Sequence, residues 1–279
     1  MNSPPRPLAV FAYDFDGTLA PGNMQEHAFI PDELGMSHAE FWAETRRLAE
    51  AQRGDGILAY MHLMLAKARE KGLELSLESW RKRGANLRLF PGVEDWFPRQ
   101  NARAEAFGLD LRHFIISSGN RELIEGSPIA AWFERIYASA FMFDADGDAV
   151  GAALAINYTG KTQYLFRINK WTLDEWDSDA INRVQADRDR PVPFERIAFF
   201  GDGLTDIPVM RVVTDHGGHA VAVYDPERPI TEAAAQNLLA DGRARLAGAG
   251  DYREGSDLDR LAGEMLKQMA RGVRAELFE

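Results

Sequence analysis

The stretch of sequence that decides the fold is LAVFAYDFDGT, residues 8–18. It begins with an uninterrupted apolar run that is too short for an isolated helix and too continuous for a half-exposed strand. Such a run predicts a strand buried on both faces, as in a parallel sheet. The run ends abruptly at Asp14, and Asp16 and Gly17 follow. We therefore expect two carboxylates at the carboxyl end of the first strand.

Further short apolar runs also stop at polar or glycine-containing sequence. Residues 111–116 stop at Ser117, and residues 196–200 stop just before Asp202. Residues 220–224 close the series, and segments with helical spacing lie between the runs. Strands that alternate with helices form parallel sheets. We predict an α/β fold with a doubly wound, Rossmann-like parallel sheet.

Residues 19–89 interrupt this alternation with a purely helical pattern. Apolar residues recur there at the spacing of amphipathic helices, and a Ser-x-x-Glu capping box precedes the first of them. The predicted helices cover residues 41–49, 57–70 and 77–87. We predict a helical cap at 19–89, inserted into an α/β core formed by residues 8–18 and 90–279.

Three smaller features complete the predicted secondary structure. Asp146-Gly147 separates two apolar runs and is a strong hairpin signal. Ser127 is followed by proline, which predicts the start of a helix. An amphipathic helix is expected after Ser256, whereas the chain beyond residue 225 is otherwise expected to add little.

Composition excludes several classes of function. The chain has 32 Lys and Arg against 43 Asp and Glu, a net charge of −11, which disfavours binding to nucleic acids or anionic membranes. It has no cysteine, so disulfides, thiolate catalysis and Cys-ligated metals are impossible. No apolar run approaches the roughly 20 residues needed to span a bilayer. We expect a cytoplasmic protein with a small-molecule ligand.

The polar residues at the predicted strand ends form one constellation. In open parallel sheets, ligands bind beyond the carboxyl ends of the strands. Asp14, Asp16, Asp202 and Asp206 are all expected there, and four carboxylates on one rim repel one another unless a cation neutralises them. An all-oxygen site suits Mg²⁺. The sequence therefore predicts a magnesium site.

Four motifs in this order resemble those of the haloacid dehalogenase superfamily. They are DFDGTL at residues 14–19, Ser117, an isolated Lys161, and GDGLTD at residues 201–206. Any one of them is a weak signal, but four in sequence are specific. Because the helical insertion lies between the first and second motifs, the chain looks most like the phosphoserine-phosphatase-like branch.

The resemblance implies a role for each matching residue. Asp14 matches the nucleophile that forms an aspartyl-phosphate, and Asp16 matches the general acid and base. Ser117 matches the hydroxyl donor to the phosphoryl group, with Ser118 as the alternative. Lys161 matches the cation between nucleophile and phosphate, with Lys170 as its rival. The implied metal ligands are Asp14, Asp16, Asp202 and Asp206, and the implied phosphate-binding residues are Ser118, Gly119 and Thr205.

We therefore expect a Mg²⁺-dependent phosphomonoester hydrolase that acts on a small phosphorylated metabolite. A phosphotransferase or a dehalogenase on the same fold is an alternative, although dehalogenases generally lack the second carboxylate, Asp16. A non-enzymatic, receiver-like phosphorylation module is another, although such modules need no cap. Substrate specificity is expected from the cap, where the candidates are Glu26, Arg46, Arg47, Arg53 and Arg81.

Overall fold

A computed structural model describes residues 6–27 and 29–276, with side chains as far as residue 273. Within these residues, seven strands form a single sheet. The strands are β1 Leu8–Tyr13, β2 Asp110–Asn120, β3 Phe133–Phe143, β4 Ala149–Leu154, β5 Ile197–Gly201, β6 His219–Tyr224 and β7 Leu246–Ala249. Their order across the sheet is β4-β3-β2-β1-β5-β6-β7.

The first strand lies at the centre of the sheet, between β2 and β5, and is parallel to both. All the other neighbours pair in parallel except β4, which is antiparallel to β3. These two strands form the predicted hairpin, and Gly147 supplies the positive φ of +88° that its turn requires. The predicted α/β class and its central parallel sheet are confirmed.

Helices cover both faces of the sheet, as a doubly wound fold requires. They are α1 His38–Gln52, α2 Gly56–Glu70, α3 Leu77–Gly84, α4 Val93–Ala106, α5 Arg121–Glu125, α6 Tyr158–Lys170, α7 Ser178–Asn182, α8 Ile207–Asp215, α9 Pro229–Ala240 and α10 Asp257–Glu276. Along β1, Phe11 and Tyr13 pack into one core, while Val10 and Ala12 pack into another. This alternation follows from the two-residue period of a strand. None of the helices within the described residues has the length and apolarity to cross a membrane.

The segment 19–89, called the cap below, contains the three predicted helices, now α1, α2 and α3. Close backbone contacts between α3 and α5 join the cap to the sheet side of the molecule. A Cβ on Gly84 in α3 would lie 1.9 Å from the Leu123 carbonyl oxygen in α5, and a Cβ on Gly126 would lie 1.8 Å from the Arg81 carbonyl oxygen. Two glycines therefore allow α3 and α5 to approach at van der Waals distance.

The hairpin makes a second attachment between the cap and the sheet. The Ala149 amide donates to the Leu75 carbonyl at 3.0 Å, and the Arg69 guanidinium donates to the Ala149 carbonyl at 2.8 Å. Near the sheet's carboxyl edge, the side-chain amide of Asn157 donates to the carboxylate of Asp55, the residue that caps α2. The cap thus contacts the rest of the molecule at α5, along the hairpin and near the carboxyl edge of the sheet.

Two predictions were wrong. No α-helix begins at Ser127. Its hydroxyl donates back to the Ile124 carbonyl at 2.7 Å and so ends α5, and the next element is a short 3₁₀ turn, Ala130–Trp132. The chain after residue 225 also adds more than expected. It supplies α9, the edge strand β7 and Tyr252, whose hydroxyl donates to the Thr18 carbonyl at 2.7 Å. The predicted terminal helix is α10.

Candidate active site

The two carboxylates after β1 are fixed by the backbone around them. The Asp14 amide donates to the Phe200 carbonyl of β5 at 2.9 Å, which extends the sheet pairing past the strand end. The Asp14 side chain is buried, and its Oδ1 accepts the Phe15 amide at 2.7 Å. The Asp16 Oδ1 accepts the Met24 amide at 2.7 Å. Both carboxyl groups are therefore held in place before any ligand binds.

Lys161 lies in the first turns of α6 and is completely buried. Its Nζ is 2.8 Å from Asp14 Oδ2 and 2.7 Å from Asp206 Oδ1. The rival lysine, Lys170, lies at the other end of α6, where its Nζ donates to the carbonyls of Ile181 and Arg183 at 2.7 and 2.9 Å. The structure thus brings Lys161, and not Lys170, to the carboxylates.

The turn after β5 brings two further carboxylates to the same place. Asp206 is buried, and its Oδ2 accepts the backbone amides of Asp202 and Gly203 at 3.1 and 3.3 Å. Carboxylate oxygens of Asp14, Asp202 and Asp206 all lie within 4.8 Å of one another. Three hard oxygen donors at this spacing suit a small divalent cation. The Asp16 side chain is not one of these three.

The electrostatics of the site favour a bound cation. Burial, reinforced by Asp206 and Asp14, raises the pKa of the Asp202 carboxyl well above its ordinary value. Burial and Asp14 likewise raise the pKa of Asp206 to about 7, although Lys161 opposes the shift. Burial alone would lower the pKa of Lys161, but Asp14 and Asp206 outweigh it and raise that pKa. One ammonium does not balance the charges of three clustered carboxylates, and a divalent cation could supply the remainder.

Asp16 has a different environment from Asp14. Burial is the main cause that raises the pKa of Asp16 well above its ordinary value, and the charge of Asp14 adds to it. Asp14, by contrast, is in direct contact with the Lys161 ammonium. The two neighbouring carboxyl groups therefore lie in unlike surroundings.

Close packing at the strand ends explains the glycines of the motifs. Gly17 has φ +70°, and a Cβ there would lie 2.0 Å from Asp202 Oδ2. A Cβ on Gly119 would lie 2.2 Å from the Met24 methyl and 3.0 Å from Asp16 Oδ2. Any side chain at either position would displace a carboxylate or the loop that holds it.

The second motif connects the sheet to the cap. Ser117 is buried in β2, and its hydroxyl accepts the Gly119 amide at 3.0 Å. The Ser118 carbonyl accepts the Tyr60 hydroxyl of α2 at 2.8 Å, and the Ser118 hydroxyl is buried without a partner in the described structure. A cap residue therefore contacts the backbone of the loop expected to hold the phosphate.

A cavity of about 610 Å³ opens above these residues. The predicted residues Asp14, Asp16, Ser117, Ser118, Gly119, Asp202 and Thr205 line it on the sheet side. The cap lines it with Trp42, Thr45, Arg46, Ala49, Ile57 and Tyr60. The cavity thus lies between the strand ends and the first two cap helices, and it is larger than a phosphate group needs.

Comparison with known proteins agrees with this geometry. A family model of haloacid dehalogenase-like hydrolases matches residues 11–211. The chain belongs to this family. The match begins in β1 and ends in α8, so it contains the loops that carry Asp14, Ser117, Lys161 and Asp202.

This hydrolase is similar at low identity to a curated relative and to several solved structures. An uncharacterised protein of Borreliella burgdorferi is 27% identical over 244 residues, which cover 78% of this chain and 83% of that protein. A haloacid dehalogenase family hydrolase of Salmonella enterica serovar Typhi superimposes with a TM-score of 0.56 at 16% identity, covering 93% of this chain and 72% of the other. A phosphoserine phosphatase, solved as a phospho-aspartyl intermediate analogue, gives 0.52 at 16%, covering 92% and 98%. The predicted likeness to that branch is confirmed for the fold.

The cap candidates of this hydrolase separate by position. Arg46 lines the cavity, whereas Arg81 forms an ion pair of 2.7 Å with Glu125. Arg47 lies in a shallow outer depression between α1 and α2, and Arg53 is exposed at the end of α1. Glu26 does not line the cavity. Its Oε1 accepts the Trp42 indole N–H at 2.6 Å and so orients that side chain on the cavity wall.

The sequence analysis missed one part of the cavity. Asp225, Arg228 and Thr231 line it from the loop that follows β6 and enters α9. The sequence contained a usable signal. Ligands bind beyond the carboxyl ends of parallel strands, and Tyr224 ends a strand as Tyr13 does. Asp225 follows that strand directly.

Proposed function

We propose that this hydrolase is a Mg²⁺-dependent phosphomonoesterase that acts on a small phosphorylated metabolite through an aspartyl-phosphate. The observation that carries the proposal is the buried contact of Asp14 with Lys161, where Asp14 also clusters with Asp202 and Asp206 at the base of a cavity between the sheet and the cap. Asp14, Asp202 and Asp206 would hold the cation, and the Asp16 backbone is a further candidate ligand. The ion would neutralise charge on the phosphate and orient it for in-line attack.

In the first step, a carboxylate oxygen of Asp14 forms a bond to phosphorus while the bond to the leaving oxygen breaks. The raised pKa of Asp16 keeps a proton available for that alkoxide, which leaves as the alcohol. The Lys161 ammonium offsets negative charge between Asp14 and the phosphoryl oxygens.

In the second step, water attacks phosphorus and the bond to the Asp14 oxygen breaks. Asp16, now ionised, accepts a proton from that water, so that inorganic phosphate leaves and both carboxyl groups return to their starting states. In both steps the Ser117 hydroxyl, which accepts the Gly119 amide and lines the cavity, would donate to a phosphoryl oxygen. The proposed substrate is a small anionic or polar phosphomonoester, because the cap covers the cavity.

The test is phosphate release from a panel of metabolite phosphomonoesters, with and without Mg²⁺. We expect activity on part of the panel, loss of activity in EDTA and recovery with Mg²⁺. The Asp14→Asn variant, which keeps the shape of the side chain without its charge, is the matched control and is expected to be inactive. Full activity in chelator, or in that variant, would refute the proposed mechanism.

The same assay separates the alternative functions. A phosphotransferase would pass the phosphoryl group to an added alcohol or nucleotide more readily than to water. A dehalogenase would release halide from a haloacid, and a receiver-like module would hold its aspartyl-phosphate without turnover. Phosphate release over many turnovers, without an acceptor, is expected only of the phosphomonoesterase.

A further inference from the structure

The segment expected to hold the phosphate, residues 117–120 and called the phosphate loop below, is an irregular end of β2. Ile116 pairs with Tyr137 of β3 and Asn120 pairs with Ser139, so that four steps along β2 match two steps along β3. The residues between these pairs therefore form a bulge, and bulges next to active sites re-aim side chains. Regular pairing with β3 consequently does not fix the geometry of the phosphate loop.

Two side chains of the cap hold this loop instead. The Tyr60 hydroxyl of α2 donates to the Ser118 carbonyl at 2.8 Å, and the Gln25 side-chain amide donates to Asn120 Oδ1 at 2.8 Å. Tyr60 and Gln25 are 4% and 2% exposed, and Asn120 is completely buried. Because buried polar groups need hydrogen-bond partners, the cap supplies at Ser118 what the irregular strand does not.

The hydroxyl of Tyr60 serves the loop and not a ligand, although its side chain lines the cavity. A tyrosine hydroxyl has one proton to donate, and the Ser118 carbonyl accepts it. Burial, reinforced by the charge of Asp16, raises the pKa of Tyr60 well above its ordinary value, so the hydroxyl remains a donor. The ring packs edge-on against Trp42, with the centroids 5.9 Å apart, which fixes its orientation.

The end of α2 that carries Tyr60 is itself held in place. Asp55 caps the helix by accepting two of its first amides at 2.8 and 3.2 Å. The other carboxylate oxygen of Asp55 accepts the side-chain amide of Asn157, which directly precedes α6 and its Lys161. The same end of one cap helix therefore contacts both the phosphate loop and the start of the helix that carries the catalytic ammonium.

From these contacts we propose that Tyr60 and Gln25 are positioning residues, through which the cap holds the phosphate loop in the geometry that presents Ser117 to the phosphoryl group. This inference rests on the proposed function and deepens it, since it assigns part of the cap to the phosphoryl group and not to the leaving group. Loss of the Tyr60 hydroxyl leaves the Ser118 carbonyl without its partner. The resulting loss of activity is therefore the same for every phosphomonoester, whatever its leaving group.

The first experiment measures kcat and KM of Tyr60→Phe on p-nitrophenyl phosphate and on several alkyl phosphates. We expect kcat/KM to fall by about tenfold on each ester, with the ranking of the esters unchanged. Tyr137→Phe is the matched control, because the buried Tyr137 hydroxyl also donates to a backbone carbonyl at 2.8 Å, that of Leu173, and neither residue lines the cavity.

The control should stay within about twofold of wild type, while urea titration shows a similar loss of stability in both variants. If Tyr60→Phe loses activity on only one class of ester, Tyr60 binds the leaving group and the inference is wrong. If Tyr137→Phe loses as much activity on every ester, the effect is general destabilisation and the inference is also wrong.

The second contact has its own variant. Gln25→Met keeps the length of the side chain and removes the donor to Asn120. We expect kcat/KM to fall by about threefold to tenfold, again without a change in the ranking of the esters. Wild-type kinetics in this variant would show that Gln25 does not position the loop.

Hydrogen–deuterium exchange measures the loop without turnover. The peptide that contains residues 117–120 should exchange faster in Tyr60→Phe than in the wild type, and Tyr137→Phe should leave it unchanged. If the wild type hydrolyses no ester but this difference in exchange persists, the proposed function fails and the positioning of the loop stands. If the wild type turns over normally and Tyr60→Phe changes neither exchange nor kinetics, the inference fails and the proposed function stands.

Discussion

The two ends of the cavity are built in opposite ways. At the proposed phosphoryl end, the buried Lys161 donates to the buried carboxylates of Asp14 and Asp206 at 2.8 and 2.7 Å. At the leaving-group end, Arg46 and Arg228 are exposed and have no ionic partner within the described structure. The first group is thus held in place by its own contacts, whereas the second keeps two cationic side chains without a carboxylate partner. This is the division expected when one fold serves many substrates.

The largest expected effect comes from removing the buried cation of the phosphoryl end. Lys161→Met should lower kcat/KM by about a thousandfold or more, because Asp14 and Asp206 then repel each other and the phosphate. Lys170→Met is the matched control on the same helix and should stay within a few-fold of wild type. Steady-state phosphate release measures both, with circular dichroism as the check on folding. The reverse ranking would move the catalytic assignment to Lys170.

A smaller effect is expected from the proton donor, and it depends on the leaving group. Asp16→Asn should lower kcat on an alkyl phosphate by about a hundredfold and on p-nitrophenyl phosphate much less, because a nitrophenolate leaves without protonation. The raised pKa of Asp16 also predicts that wild-type activity on the alkyl ester declines as pH rises through that pKa, since the acid form is lost. Equal losses on both esters would remove Asp16 from the acid role.

The smallest effect concerns the attachment of the cap behind the leaving-group end. Gly84→Ala places a methyl group 1.9 Å from the Leu123 carbonyl and should cost about 1–3 kcal/mol of unfolding free energy. Gly272→Ala, in α10 with open space around it, is the control and should stabilise by up to about 1 kcal/mol. Urea titration gives both values. A neutral Gly84→Ala would contradict the close contact of α3 with α5.

The sequence predicted the phosphoryl end well, and the reason is physical. Parallel strands end at one edge of the sheet, so residues such as Asp14, Ser117 and Asp202 are brought together by strand position alone. Local patterns also placed the cap helices and the hairpin at Gly147. The local pattern favoured Lys161 over Lys170, because Lys161 follows a predicted helix start at residues 157–160. Both lysines lie on α6, and the packing of that helix brings the end with Lys161 to Asp14.

The leaving-group end was harder to predict because it depends on packing between distant segments. Arg46 was one of four unranked arginines, and only the orientation of α1 against the sheet distinguishes it from Arg47. The loop that carries Arg228 was missed because the chain beyond residue 225 was expected to add little, although it directly follows the end of β6. The helix predicted at Ser127 was wrong because a serine hydroxyl can end one helix as readily as it can begin another.

The central claim is that Asp14 carries the phosphoryl group during turnover, and trapping that species tests it most directly. The enzyme is mixed with a good substrate and Mg²⁺, quenched in acid within milliseconds, digested and analysed by mass spectrometry. We predict that the peptide containing Asp14 gains the mass of one phosphoryl group, that fragmentation places it on Asp14, and that Asp14→Asn shows none. Phosphate release with the label on another residue, or with no labelled peptide at any quench time, would contradict the account.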